Sequence, residues 1–290
     1  MTGGRKPGED WLCEEQAPGL WFCLGVKRWL VRRRTAYQDL DLAETESHGR
    51  VLALDGRLML SERDEFFYHE MLVHPTLLSH PSPEKILIVG GGDGGALREV
   101  LHHPVREVTL VEIDPEVIEV CKEWLPSVHR GAFLDPRVHV EISPGEHFLP
   151  EHAGEFDVIL VDSTDPIGPG AALFQPSFFQ ACQKALRPGG SLALQAGSPW
   201  FQPAELQEVV RNLKNLFPTV LPYLGFMPIY PSGMWSYVLA SFSEIPGEEV
   251  LWQRYRARNL HTRYFTPEVF RAACALPPFV AELLFPCPSG

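Results

Sequence analysis

Positive charge is scarce in this chain. Its 290 residues hold 25 lysines and arginines against 37 aspartates and glutamates, a formal net charge of −12. Phosphate backbones demand a basic face, so this balance argues against a nucleic-acid partner. The six cysteines, at 13, 23, 121, 182, 274 and 287, form no C-x-x-C pair and no zinc-finger spacing. Scattered single thiols fit a reducing compartment, so the expected location is cytoplasmic. The opening residues are polar and lack an apolar h-region, so no signal peptide is expected. Residues 215–243 lack any charge and are long enough to span a bilayer. Pro218, Pro222, Pro228 and Pro231, with Gly225 and Gly233, would break such a helix, so a buried strand–loop–strand is expected. There is no G-x-S-x-G and no Cys–His arrangement for nucleophilic hydrolysis. His69 and His74 stand five apart, not the four of a zincin helix, so they diverge and no metal is expected. No internal repeat is apparent.

What is present is ordinary globular composition, 45% hydrophobic and 21% charged, enough for one large domain or two smaller ones. Residues 1–18, rich in Gly, Pro and charge, read as a flexible arm. Residues 19–80 read as an N-terminal β domain with a linking helix. Leu40 and Leu42 alternate with polar residues, Asp55-Gly56 marks a hairpin turn, and 62–79 looks helical. The basic run from Lys27 to Arg34 reads as a solvated strand face or an interface.

From residue 81 to 290 the pattern alternates. Apolar runs at 86–89, 108–111, 138–142, 158–161, 191–194 and 236–240 are separated by helical stretches, among them 95–102, 117–124, 176–186 and 203–216. Strands alternating with helices predict an α/β, Rossmann-like doubly wound sheet, preceded here by the small β domain.

Gly90-Gly91-Gly92-Asp93-Gly94-Gly95 follows the first of these strands and opens a helix. It satisfies G-x-G-x-x-G, and Glu112 ends the next strand about twenty residues on, placed to accept ribose hydroxyls. A pyrophosphate would rest on this loop, but Asp93 would repel it. An S-adenosyl sulfonium would be welcomed, which favours such a ligand over NAD. S-adenosylmethionine methyltransferases usually carry their acid just before the glycines, where Ile88 and Val89 stand here. An acid inside the loop would oppose a ligand carboxylate and attract a bare amine. A second acidic cluster, Asp162-Ser163-Thr164-Asp165-Pro166, follows strand 158–161. Parallel sheets bind ligands at the carboxyl ends of their strands. These two acids either hold amines or shape a turn before the proline. Gly168-Pro169-Gly170 beside them could form a lid.

With these motifs in order, the chain resembles the spermidine synthase family of polyamine aminopropyltransferases. The resemblance runs over roughly residues 20–285. It is carried by Tyr37-Gln38-Asp39-Leu40, Leu54-Asp55-Gly56, Ser61 to Glu65, Tyr68-His69-Glu70, Gly90 to Gly95, Leu97 to Val100 and Glu112-Ile113-Asp114. It continues through Asp162 to Pro166, Gln195, Tyr230 to Gly233 and Leu276 to Phe279. The most diagnostic part is GGGDGG followed about seventy residues later by D-S-T-D-P.

The resemblance implies transfer of the aminopropyl group of decarboxylated S-adenosylmethionine to putrescine or a related amine, giving spermidine and methylthioadenosine. That donor has an amine and no carboxylate, which suits Asp93. The implied donor-binding residues are Gln38, His69, Gly90, Gly92, Asp93, Glu112 and Gly145. The implied catalytic residues are Asp162, Tyr68 and Tyr230; the acceptor amine would be held by Asp165, Tyr68, Tyr230 and Gln195. No metal and no cofactor beyond the donor co-substrate is implied. The partners implied are a small diamine or polyamine and further copies of the chain, a homodimer or homotetramer through the N-terminal β domain, with no membrane. Trp21 and Trp235 either line an apolar wall for the amine or belong to the core.

The chain departs from the family pattern in places. Pro144, before Gly145, stands where relatives have an Asp or Asn that reads adenine. Met59 stands for Gln, Leu24 for an acid and Gly197 for Glu. Two other functions stay open on the residues alone: an S-adenosylmethionine-dependent amine methyltransferase, which Asp93 disfavours, and a binding homologue without turnover, motivated by Pro144 and Gly197.

Overall fold

The computed structural model describes residues 10–166 and 168–285. Five antiparallel strands open the fold: β1 (Trp11–Ala17), β2 (Leu20–Arg34), β3 (Asp39–Thr45), β4 (Arg50–Leu54) and β5 (Arg57–Ser61), side by side in sequence order. Each turn has a local cause. Between β4 and β5, Asp55 and Gly56 both take positive φ, 49° and 74°, as a two-residue hairpin with the sheet's right-handed twist requires. Leu40, Leu42, Leu52, Leu54 and Leu60 point from β3–β5 to one face and are all buried there.

Two expectations fail in this sheet. The flexible arm does not extend over residues 11–17, which form β1; residues 1–9 lie outside the described residues. Nor are all six cysteines single thiols. Strand pairing sets Cys13 directly opposite Cys23, and the two are disulfide-bonded. They stand ten positions apart in sequence, so only the hairpin register reveals the pair. The basic run of β2 is exposed on the single chain, with Arg28 paired to Glu44 and Arg32 to Asp41.

Helix α1 (Glu65–Ser79) leads to the second sheet, formed by β6 (Lys85–Gly90), β7 (Glu107–Glu112), β8 (Val138–Ile142), β9 (Phe156–Asp162), β10 (Leu186–Gln195), β11 (Thr219–Phe226) and β12 (Met234–Ser241). Their order across the sheet is β11-β12-β10-β9-β6-β7-β8. The five from β10 to β8 run parallel, and β12 and β11 are antiparallel additions at one edge. Helices α2 (Gly95–Leu101) and α3 (Pro115–Trp124) follow β6 and β7. Ile86 to Val89 and all of β9 are buried, as central parallel strands covered on both faces must be. The uncharged stretch 215–243 holds β11 and β12, paired as the expected strand–loop–strand. Among the described residues no helix is long and apolar enough to cross a membrane.

Two facts position the site. The face of β3–β5 packs on Val117, Val120 and Cys121 of α3, which brings the small sheet over the large one. And β6, β7 and β9 are neighbours in register, Gly90 beside Asp162 and Val89 beside Val111, so three strands end together at Gly90, Glu112 and Asp162.

Candidate active site

A cavity of about 890 Å³, open mouth included, lies over those three strand ends. Ten of the expected residues line it: Gln38, Tyr68, His69, Gly90, Gly92, Asp93, Glu112, Gly145, Asp162 and Tyr230. A smaller cavity of about 340 Å³ shares Met59, Tyr68, Ser163, Thr164 and Tyr230 with it, and adds Asp165 and Gln195.

The glycine loop owes its shape to positive φ and to crowding. Gly90 has φ of 83°, and a Cβ there would stand 2.1 Å from the carbonyl oxygen of Asp162. Only glycine lets β6 pass so close to the end of β9. Gly91 N–H then donates to that same carbonyl at 2.7 Å, which ties the loop to the second acidic cluster. Glu112 is held from both sides, its Oε2 accepting from Gly92 N–H at 3.2 Å and its Oε1 from Asp114 N–H at 3.0 Å. Each carboxylate oxygen keeps a further lone pair for a ligand. Burial pushes this carboxyl up to about 7. Gln38 donates to Asp114 at 3.0 Å, so the small sheet anchors directly to the loop after β7.

Asp93 turns its Oδ1 to the N–H of Gly95 at 2.7 Å and to His69 Nε2 at 3.3 Å. His69 Nδ1 meets Glu65 at 2.7 Å, and both oxygens of Glu65 accept from Arg98 at 2.9 Å. Burial disfavours the imidazolium, but Asp93 and Glu65 override it and hold its pKa well above the ordinary value. Burial likewise opposes charge on Asp93, and the imidazolium outweighs it and holds the carboxyl below its usual range. His69, Asp93 and Asp162 gather three possible metal-ligand atoms within 4.8 Å.

Asp162 differs. Its Oδ2 is buried without a hydrogen-bond partner. Burial, and then the charge of Asp93, push its carboxyl up to about 6, while the charge of His69 and then the hydroxyl of Tyr68 pull the other way. Burial, and next the charge of Asp162, raise the phenols of Tyr68 and Tyr230 far above their usual range, so both stay neutral. Tyr68 and Tyr230 meet edge to face with centroids 5.8 Å apart, and the Tyr230 hydroxyl donates to the carbonyl of Met59.

In the smaller cavity Asp165 accepts from Arg57 at 3.1 Å and from Gln202 at 3.0 Å. Gln195 is committed to loop backbone, donating to the carbonyls of Ser163 and Thr164 and accepting from Gly197 N–H at 2.9 Å. Trp235 lines this cavity, whereas Trp21 lies 48% exposed on β2 and lines neither. Pro144, Pro169 and Gly170 form part of the larger wall, the last two where a lid was expected.

Sequence reasoning missed Glu14, Arg57 and Glu146. Glu14 is 4% exposed and lines the smaller cavity with Arg57. Its Oε2 accepts from Leu58 N–H at 3.4 Å, and burial pushes it up to about 7. An acid alternating inward along β1 was the available signal, lost when the segment was read as an arm. Glu146 lines the larger cavity beside Gly145.

Residues 10–62 match the spermidine synthase tetramerisation domain, and residues 65–247 match the spermine/spermidine synthase domain. The polyamine aminopropyltransferase of Shouchella clausii is 42% identical over 277 residues, 95% of this chain and 99% of that protein. That of Bacillus subtilis is 41% identical with the same coverage. Among solved structures, a spermidine synthase in complex with the transition state analogue AdoDATO superposes with a TM-score of 0.91 at 39% identity, covering 96% of each chain. Spermidine synthase from Thermotoga maritima gives 0.90 at 38%, with the same coverage. With both sheets and the cavity over the strand ends accounted for along nearly its whole length, the chain belongs to the spermine/spermidine synthase family of polyamine aminopropyltransferases.

Proposed function

We propose that this enzyme transfers the aminopropyl group of decarboxylated S-adenosylmethionine to putrescine, releasing spermidine and methylthioadenosine. One observation carries the proposal: Asp162 Oδ2 is a buried, unpartnered acceptor at the end of β9, beside the residues that the two cavities share. A buried lone acceptor costs stability unless a ligand donor completes it. An amine is such a donor.

In the proposed reaction the larger cavity takes the donor. Gln38 and the backbone of Gly90 and Gly92 frame it, Glu112 accepts from the ribose, and Pro144 and Gly145 close against the adenine with backbone and apolar surface. Asp93, backed by His69, meets the donor's amine, and a donor carboxylate would be repelled there. The smaller cavity takes the acceptor. Tyr68 and Tyr230 orient its nitrogen, Asp165 faces its far end, and Gln195 braces the loop between Asp162 and Asp165.

A protonated alkylamine, with pKa near ~10, has no lone pair to attack with. Asp162 accepts its proton or holds the nitrogen that has already lost one. The lone pair then forms a bond to the methylene next to sulfur, the carbon–sulfur bond breaks, and its electron pair neutralises the sulfonium. Alignment of the two substrates in adjoining cavities supplies much of the rate. The sulfonium leaves without metal or cofactor assistance in this scheme.

The tetramerisation-domain match supports an oligomer, which we place as a homodimer or homotetramer through the N-terminal sheet. The test is methylthioadenosine release, followed by chromatography, from decarboxylated S-adenosylmethionine with putrescine, cadaverine, agmatine or spermidine. Release with putrescine as the best acceptor is expected. No release with any of the four would overturn the proposal.

A further inference from the structure

The outer end of the smaller cavity already holds a cation. Arg57 opens β5, directly after the Asp55-Gly56 turn. Its Nη1 lies 3.1 Å from Asp165 Oδ2 and 3.8 Å from Glu14 Oε1. The two acids come from distant segments, β1 and the loop after β9, and their side chains are only 5% and 11% exposed; that of Arg57 is 34% exposed. The guanidinium therefore bridges two nearly buried carboxylates from the solvent side.

Charge balance gives this arrangement a consequence. A guanidinium stays charged at any pH the protein meets and offers a rigid fork of donors. With Arg57 in place, the two carboxylates retain at most one negative charge in excess. One distal ammonium can be matched there. A further ammonium on a longer acceptor would approach the guanidinium, and like charges at close range in a partly desolvated site repel strongly.

We infer that Arg57 is a specificity-determining residue, which limits the acceptor to a short diamine by occupying the place between Glu14 and Asp165 that the next cation of a triamine would take. This rests on the aminopropyl transfer proposed above.

The test compares wild type with Arg57→Val and Arg57→Lys. Two quantities are measured for putrescine and for spermidine: kcat/KM by methylthioadenosine release, and the dissociation constant by calorimetry in the presence of methylthioadenosine. Arg57→Val is expected to shift both spermidine-to-putrescine ratios by about tenfold or more toward spermidine, the size of one like-charge contact. Arg57→Lys, which keeps the charge, is expected to hold both ratios near wild type. Unchanged ratios in Arg57→Val would overturn the inference, and so would an equal shift in both variants, which would point to side-chain shape alone. If no protein releases methylthioadenosine, aminopropyl transfer itself fails, and the calorimetric ratios still decide the role of Arg57.

Discussion

His69 lies between two carboxylates, 3.3 Å from Asp93 through Nε2 and 2.7 Å from Glu65 through Nδ1. One contact reaches the glycine loop and the other its own helix. Arg98 of α2 closes the chain by gripping Glu65 with two nitrogens. Alternating charges thus run from the cavity wall into the core, each paid for by its neighbour in a region where an isolated charge would not survive. Histidine gains a partner here, so its folded pKa is raised above the ordinary 6.5. Its stabilisation is then fully present below 6.5 and is lost as pH rises through the folded value. Thermal unfolding of wild type is expected to weaken on the alkaline side more than that of His69→Gln, which cannot titrate. Parallel pH profiles for the two proteins would contradict a charged His69.

Asp162 titrates the other way for function. Its carboxyl, pushed up to about 6 by burial and then by Asp93, must be ionised to take a proton. The value of kcat/KM is expected to fall as pH drops through about 6. Asp162→Asn is expected to lose that limb and to lower kcat about a hundredfold to ten-thousandfold, the usual range for a general base. A steady-state pH profile of both proteins checks this; equal rates would remove Asp162 from the chemistry.

Gly90→Ala tests the loop. Its φ of 83° strains any side chain, and the added Cβ would meet the Asp162 carbonyl oxygen at 2.1 Å. We expect destabilisation of about 1–3 kcal/mol and at least a tenfold loss in methylthioadenosine affinity, since the loop must move off β9. Calorimetry and thermal melts measure the two separately.

Glu70→Gln tests the frame behind the site. Glu70 is buried and accepts from the N–H groups of Arg263, Tyr264 and Phe265 at 2.8–2.9 Å, pinning the C-terminal segment to α1. An amide keeps one acceptor oxygen of the two, leaving a backbone donor unmet at a cost of about 1–3 kcal/mol. Denaturant unfolding should show a lower midpoint with an unchanged slope.

Much of this was legible in the residues. Asp55-Gly56 announces its hairpin because few other pairs accept two left-handed residues. The run 86–89 announces a central strand because only a doubly covered strand is apolar throughout. The glycine loop and Glu112 announce a nucleoside site because their spacing spans one strand–helix–strand unit. Other features left no comparable mark. β1 mixes apolar and polar residues and follows a Gly- and Pro-rich start, so it passed for an arm, and with it Glu14 and the Cys13–Cys23 pair went unseen. Trp21 carries nothing in its sequence surroundings to say that it faces outward.

The division has a physical cause. Backbone period, turn type and positive φ are local properties, set by neighbouring residues, and the sequence by itself determined the two sheets, the glycine loop and the acids at their strand ends. Pairing and proton affinity act through space. They depend on burial and on charges brought within a few ångströms by segments far apart in the chain. Only the tertiary structure decided that His69 lies between Asp93 and Glu65, that Asp162 Oδ2 is buried without a partner, and that Arg57 stands between Glu14 and Asp165.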